Sequence, residues 1–300
     1  MTDVIERIQN ASRKAQEKYL RFLKRKRTEQ RGSYKEIGDS VRGEILAASD
    51  DEGRIPMRRL PILDTSVAWN MDALGSWEDN WILEALDDSA ELGTGGMLAI
   101  AGIVGISLPH AKVAGIPGQA AEFAKTFVAK DGLTLSPRLW KIHEFQKYRV
   151  NEALRQIVVE GESVRKTAQE LLGRGKPLGK SVQQAFSRTT SLKIGGEIHN
   201  LFTPKGRKNL LFNTERMLIT ETNRARGRAY IDTCDVTPGV IGMRVVLSPS
   251  HPRADICDEI TSRDDYGLGP GGYPLDQLPL YPFHPLCLCI LVPIFRGDIS

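Results

Sequence analysis

Five side chains that can bind a soft or borderline metal ion lie near the C-terminal end of the chain. They are His251, Cys257, His284, Cys287 and Cys289, and the last three stand within the six-residue run H-P-L-C-L-C. The whole 300-residue sequence contains only four cysteines and five histidines, so this clustering is unusual for the chain. Because four such donors suffice for tetrahedral zinc, the first chemistry that the residues suggest is a zinc site.

Three roles are open to these cysteines: metal ligation, a disulfide, or simple packing. Cys287 and Cys289 are too close along the chain to bridge each other without strain. Four cysteines in 300 residues do not make a disulfide scaffold. Against a metal, Pro252 and Pro285 follow the two histidines and can set rigid turns by themselves, and small cysteines also serve as core residues. The sequence favours bound zinc and leaves the choice of four ligands open, while Cys234 has no partner spacing.

A catalytic zinc is the alternative to a structural one. A hydrolytic site leaves one position open for water and places a carboxylate nearby as general base. Asp255, Asp258 and Glu259 are near in sequence, and Asp255 is also a candidate ligand or a hydrogen-bond partner of a ligating histidine. A cysteine-rich site followed by the apolar run I-L-V-P-I favours structure instead. We therefore expect a structural zinc and no enzymatic activity.

The elements that must position this site are mostly helical. The sequence predicts a mainly α protein, with helical N-terminal and central regions and a small C-terminal α+β module knit by metal. The predicted domains are a basic helical arm and linker over 1–58, a helical domain over 59–210, and the zinc-containing module over 211–300. A partly helical linker is expected from Gly32, because residues 32–63 are rich in Gly, Asp and Pro.

The central region contains one apolar stretch that could be mistaken for a membrane span. Residues 92–111 carry no charge and approach the roughly 20 residues that a span requires. They include five glycines, a proline and a histidine, so we expect a buried helix over 97–106 followed by an extended segment. Helical periodicity then covers residues 119–173 with a break at 131–137, and a further short element is predicted over 181–186.

The N-terminal segment concentrates the positive charge of the protein. Residues 1–31 hold ten Lys or Arg against four acids, a net charge of +6, whereas the remaining residues sum to −2. The run Lys24, Arg25, Lys26 and Arg27 is a candidate contact for nucleic acid or an acidic partner surface. The alternative is an ordinary helix whose apolar stripe, with Ile5, Ile8, Ala15, Tyr19 and Leu23, packs on a neighbour. The charged opening MTDVIERIQN predicts no secretory signal.

Three motifs near the C-terminus occur in a specific order. A predicted helix carries T-E-T-N-R-A at 220–225, followed by H-P-R-A-D-I-C-D at 251–258 and P-F-H-P-L-C-L-C at 282–289. This order resembles the C-terminal module of the phage Mu F-like head morphogenesis family. The strong motifs cover residues 214–293, and the first ninety residues match no family pattern. Leu288 stands where many relatives carry Arg, and Cys257 is alone where many carry a C-x-x-C pair.

The resemblance implies a minor capsid component that assembles with the portal protein and helps head morphogenesis, genome packaging or delivery. It would be made in the host cytoplasm and end in the virion, in the capsid interior or at the portal vertex. Further partners that it allows are the major capsid protein, a scaffolding protein and DNA, with no membrane contact. The competing classes are a zinc-dependent nuclease or hydrolase carried in the head, and a generic nucleic-acid-binding protein.

Overall fold

The computed structural model of the chain describes residues 2–48, 50, 55–160, 210–249, 251 and 254–297. The helices are α1 (Thr2–Ala48), α2 (Leu60–Ile103), α3 (His110–Val113), α4 (Ile116–Thr126), α5 (Leu135–Glu160), α6 (Leu210–Asp235) and α7 (Ile256–Ser262). Short 3-10 turns lie at Met57–Arg59 and Leu275–Gln277. The strands are β1 (Val240–Val246), β2 (Gly272–Tyr273) and β3 (Ile290–Phe295). The predicted fold class, mainly α with a small C-terminal α+β module, is confirmed.

Helix α1 is longer than the sequence suggests. It continues through Gly32, Gly38 and Gly43 to Ala48, so the linker does not begin at Gly32 as predicted. A glycine inside a helix costs only about 1 kcal/mol, and the buried side chains of Tyr34, Val41 and Ile45 extend the apolar stripe of the helix beyond Gly32. Packing therefore outweighs the three glycines.

Helix α2 contains the uncharged stretch. Met97 and Ile100 are fully buried, whereas Ala99 and Gly102 are exposed, so the predicted helix is buried on one face only. The helix ends at Ile103, and residues 106–109 form no regular structure. Within the described residues, no helix combines the length and hydropathy needed to cross a membrane. The break predicted at 131–137 overlaps the segment between α4 and α5, because α5 begins at Leu135. The helices predicted after residue 160, including the element at 181–186, lie outside the described residues.

The glycines of the G-T-G-G run at 93–96 have different surroundings. A Cβ on Gly93 would lie 2.2 Å from the carbonyl oxygen of Arg226 in α6, and one on Gly96 would lie 3.2 Å from the Cβ of Ala15 in α1. A Cβ on Gly95 would meet nothing within 4 Å. Two of the three glycines therefore permit the close approach of α2 to α1 and α6.

The chain divides into two compact units. Unit 1 comprises Met1–Lys26, Trp81–Leu135 and Arg216–Ser300, and unit 2 comprises Arg27–Asn80 and Ser136–Glu215. Both units draw on separated stretches of the chain, whereas the ranges predicted from the sequence, 1–58, 59–210 and 211–300, are consecutive. Long helices such as α1 contribute residues to both units.

Unit 2 has a buried polar network at its centre. The fully buried Glu78 carboxylate accepts hydrogen bonds from the Tyr34 hydroxyl at 2.9 Å and from Gln30 Nε2 at 2.5 Å. His143 Nε2 lies 2.8 Å from the same carboxylate, and the Tyr34 hydroxyl also meets Thr214 Oγ1 at 2.9 Å. Burial raises the pKa of Tyr34 well above its ordinary value. Because each buried group needs its partner, the network fixes the helical register in this unit.

Unit 1 contains the sheet. Among the described residues, β1 is the central strand and pairs antiparallel with both β2 and β3. Met243 stands opposite Tyr273 on one side and Pro293 on the other, and every residue of β3 is buried. Ile8 of α1 joins this core. The first helix is therefore part of the fold around the C-terminal module.

We expect Gly93→Ala to lower the free energy of unfolding by about 1–3 kcal/mol, because the new methyl group overlaps a backbone carbonyl that cannot move aside. Gly95→Ala is the matched control, two residues away in the same helix. Because its methyl group meets open space, it should raise stability by up to about 1 kcal/mol. Urea unfolding of both variants checks the pair, and equal effects would contradict the packing described for Gly93.

Candidate metal centre

Three of the five predicted donors converge on one point in unit 1. The ligand atoms of Cys257, His284 and Cys287 all lie within 4.8 Å of one another. The two sulfur atoms are 3.8 Å apart, and His284 Nε2 lies 3.1 Å from Cys257 Sγ. Both cysteines are buried, whereas His284 is partly exposed. This cluster can hold a metal ion.

The spacing of the donors fits tetrahedral coordination. Two sulfurs that each lie about 2.3 Å from a tetrahedral zinc ion are about 3.8 Å apart. The distance between Cys257 Sγ and Cys287 Sγ has that value. A disulfide needs about 2.05 Å between sulfurs, and all four cysteines are free. The pair is therefore spaced for a shared ion.

The ring of His284 is oriented for ligation. Its Nδ1 donates a hydrogen bond to the carbonyl oxygen of Pro285 at 2.7 Å, so the proton resides on that nitrogen. Nε2 then carries a lone pair that faces the cysteine pair. Asp255 Oδ2 also lies 3.2 Å from Nε2. A backbone hydrogen bond that selects the tautomer is a usual feature of metal-binding histidines.

Cys289 is a candidate fourth donor beside this cluster. Its side chain is buried in the same core as Cys257 and Cys287. The hydrogen bond from Cys289 lowers the pKa of Cys287 to about 6, and the same bond raises the pKa of Cys289. Burial, together with the neighbouring charge of Cys287, raises the pKa of Cys257 to about 12. Cys287 is therefore the thiol most readily ionised, and a cation among the sulfurs would stabilise a second thiolate.

His251 belongs to a different group. Its Nε2 lies 2.9 Å from Asp258 Oδ2 and 3.9 Å from Asp255 Oδ1, so the structure separates it from the cysteines with which it was predicted to act. The two aspartates form a capping box at the start of α7, in which Asp255 Oδ1 accepts from the backbone N–H of Cys257 at 2.8 Å. The backbone N–H of Asp255 and the ring of His251 both hydrogen-bond to the carboxylate of Asp258, and these bonds lower the pKa of Asp258. This cap places Cys257 in the first turn of α7.

A tight turn positions the other ligands. The backbone N–H of Cys287 donates to the carbonyl of His284 at 3.1 Å, which brings the two side chains to the same side. Leu286 adopts φ +66, a left-handed conformation that is uncommon outside glycine. Its backbone N–H donates to Thr220 Oγ1 of α6 at 3.2 Å, which holds the turn against the helix.

Helix α6 also supports the turn through the buried amide of Asn223. Asn223 Nδ2 donates to the Cys287 carbonyl at 2.7 Å and to the Tyr281 hydroxyl at 2.8 Å. The Tyr281 hydroxyl in turn donates to the Cys289 carbonyl at 2.8 Å. The Tyr281 ring lies so close to Gly227 that a Cβ there would be 2.2 Å from it. Donor chemistry alone did not identify these supporting residues, although Asn223 lies in the T-E-T-N-R-A motif.

The N-terminal helix also contacts the site. Gln16 Nε2 donates to the Leu288 carbonyl, between the last two cysteines, at 3.0 Å. Tyr19 is fully buried, and its hydroxyl meets Thr222 Oγ1 of α6 at 2.9 Å. Residues 2–31, for which the sequence also allows a helix packed on a neighbour, lie within α1. Its apolar stripe, with Ile8 and Leu23, is buried.

The predicted cation run does not form one surface. Lys26 is buried, and its Nζ lies 3.5 Å from Asp88 and 5.5 Å from the centre of the Trp81 ring. Arg27 Nη2 lies 3.0 Å from Glu215 Oε2. Lys24 and Arg25 are exposed. The helical period therefore divides the four cations between the interior and the surface.

Comparison with protein-family models, with curated proteins and with solved structures gives no match. The resemblance to the Mu F-like family therefore stays a prediction from the sequence motifs.

We expect Asn223→Ala to lower the free energy of unfolding by about 1–3 kcal/mol, because it leaves buried polar groups of the turn without their donor. Asn80→Ala is the control, since Asn80 is exposed and, among the described residues, its side chain bonds only within its own helix, to Ser76. The control should change stability by less than about 0.5 kcal/mol. Urea unfolding measures both, and similar values for the two variants would contradict the supporting role of Asn223.

Proposed function

We propose that the chain holds one structural zinc ion, bound by Cys257, His284, Cys287 and Cys289. The observation that carries this proposal is the 3.8 Å spacing of the Cys257 and Cys287 sulfurs with His284 Nε2 beside them. Zinc suits a set of thiols and one imidazole better than harder cations do. When bound, the ion would supply the positive charge that stabilises more than one thiolate in the buried cluster.

Two features support a structural rather than a catalytic ion. All four proposed ligands come from the protein, so no position is reserved for water. The nearby carboxylates that could act as general bases are engaged in local structure, because Asp255 and Asp258 cap α7. Their hydrogen bonds hold Cys257 in position.

We further propose that the protein is a phage minor head protein that associates with the portal and helps head morphogenesis. Support comes from the three motifs that carry the family resemblance, because they lie together in unit 1. Asn223 of the first motif donates to the carbonyl of Cys287 in the third, and Cys257 of the second lies beside that cysteine. Motifs far apart in sequence thus contribute to one small module, as expected if they are parts of a single unit.

A second candidate is a zinc-dependent hydrolase or nuclease. The observation that favours it is the carboxylate of Asp255, which is partly exposed and lies 3.2 Å from His284 Nε2. If Asp255 were a base beside an open metal position, the zinc-loaded protein would cleave DNA and Asp255→Asn would abolish the cleavage. If Asp255 is a cap, Asp255→Asn keeps a capping residue and changes little.

We expect protein purified without added metal to contain about one zinc ion per chain, and Cys287→Ser to lower this to less than about 0.2, because a tetrahedral site loses one of its thiolates. Cys234→Ser is the matched control, since Cys234 is buried but its sulfur faces Met97 Sδ at 3.2 Å. Elemental analysis measures the content. Zinc absent from the unaltered protein, with thermal unfolding indifferent to chelator, would overturn the metal assignment.

We expect the protein to co-sediment with portal-containing heads of the phage that encodes it. Cys287→Ser should lower the amount in heads at least about fivefold, because destabilised modules are removed before assembly, whereas Cys234→Ser should not. Quantitative mass spectrometry of gradient-purified heads measures the ratio to portal protein. A protein absent from heads, or one whose loss leaves head assembly unchanged, would contradict the head function without bearing on zinc.

A further inference from the structure

One face of α1 carries a line of exposed cations. Arg7, Lys14, Lys18 and Arg21 follow one another at intervals of seven, four and three residues, so they share one side of the helix over roughly 21 Å. All four are exposed. No hydrogen bond or ion pair joins their side chains to any other residue that the structure describes. This line differs from the run at 24–27, and its positive charge is available to a partner.

The cations border a groove between α1 and α2. The first part has a volume of about 590 Å³ and no carboxylate among its lining residues. Its floor consists largely of small residues, namely Ala11, Ala15, Gly95, Gly96 and Ala99. A second part of about 460 Å³ shares Lys18 and Leu92 with the first, and Asp88 and Glu91 line it beside Arg21. The groove is thus positive along most of its length and acidic on one wall of its second part.

Two glycines of α2 have no explanation within the described chain. Gly95 and Gly102 are exposed, and a Cβ at either position would meet nothing within 4 Å. Glycine is disfavoured in the interior of a helix, and the neighbours Gly93 and Gly96 are explained by close packing. Because the distance between packed helices depends on the side chains at the contact, glycines let another helix approach closely.

We propose that the groove between α1 and α2 binds an acidic amphipathic α-helix of a partner protein. Acidic side chains on one flank of that helix would pair with Arg7, Lys14, Lys18 and Arg21. Its small apolar face would lie over Gly95 and Ala99. A basic side chain at one end of the partner helix would pair with Glu91. Helix-in-groove recognition uses such an amphipathic surface, and complementary charge sets its orientation and rate of association.

The groove fits a helix better than it fits duplex DNA. Phosphates would pair with the cations, but they would leave the small-residue floor uncovered and would be repelled by Asp88 and Glu91. A protein helix accounts for the cations, the acidic wall and the exposed Gly95 together. The proposal depends neither on the zinc ion nor on the head function.

The probe for the test is a fluorescein-labelled helical peptide of about 20 residues with glutamate along one face and alanine along the other. Fluorescence anisotropy with the full chain should show saturable binding. Lys14→Glu combined with Lys18→Glu should weaken binding at least about tenfold, because two attractive charges become repulsive. Arg13→Glu is the matched control, since this exposed neighbour lies roughly 120° around the helix from the line, and it should change affinity less than about twofold.

A second pair of variants tests the floor of the groove. Gly95→Leu should weaken peptide binding at least about tenfold while leaving the salt dependence unchanged, because it fills space and removes no charge. Gly95→Ala should weaken it much less. Circular dichroism confirms that each variant keeps its helices, as expected from the open space at this position.

Three outcomes would overturn the proposal. The first is absence of peptide binding. The second is a loss for Arg13→Glu as large as the loss for Lys14→Glu combined with Lys18→Glu, which would indicate attraction to overall charge. The third is tighter binding of a DNA duplex that Lys14→Glu with Lys18→Glu abolishes and Gly95→Leu leaves intact, which would make the face a nucleic-acid surface.

Discussion

The amide of Asn223 is the interaction on which the C-terminal module depends. It joins α6 to the Cys287 carbonyl and the Tyr281 hydroxyl, and that hydroxyl holds the Cys289 carbonyl. The chain between His284 and Cys289 forms no regular structure that could hold it rigid by itself. A buried amide with both donor hydrogens used on the turn imposes a definite geometry there, because any other arrangement leaves polar groups unpaired. The donors converge because a helix far away in sequence supports them.

The thiol cluster combines burial with an unfavourable concentration of ionisable groups. Cys287 is the thiol most easily ionised, and its hydrogen bond from Cys289 makes ionisation of that second thiol harder. Such an arrangement is stable either with protons shared among the sulfurs or with a cation between them. The capping box of α7 contributes from the other side, because it fixes the backbone at Cys257 before any metal is bound.

Helix α1 serves two purposes on opposite sides. One side packs Ile8 and Tyr19 into unit 1 and reaches the cysteine turn through Gln16. The other side presents the cations that border the groove with α2. Charge counting alone treats the segment as a basic arm, although much of its surface is occupied by packing. A partner bound in the groove would therefore contact the same helix that supports the C-terminal module.

The sequence by itself determined the helical character of the chain, the C-terminal position of the sheet and three of the clustered donors, since periodicity and rare residue types are local properties. It did not determine that α1 passes through Gly32, because burial of Tyr34 and Val41 by distant segments decides that. Only the tertiary structure separated His251 from the cysteine cluster and buried Lys26 beside Asp88. The cap formed by Asp255 and Asp258 spans three residues and is a local signal that donor chemistry overlooked. The contacts that hold the cysteine turn join Asn223 to Cys287 and Tyr281, whose separation along the chain carries no local signal, so only the packed fold could reveal them.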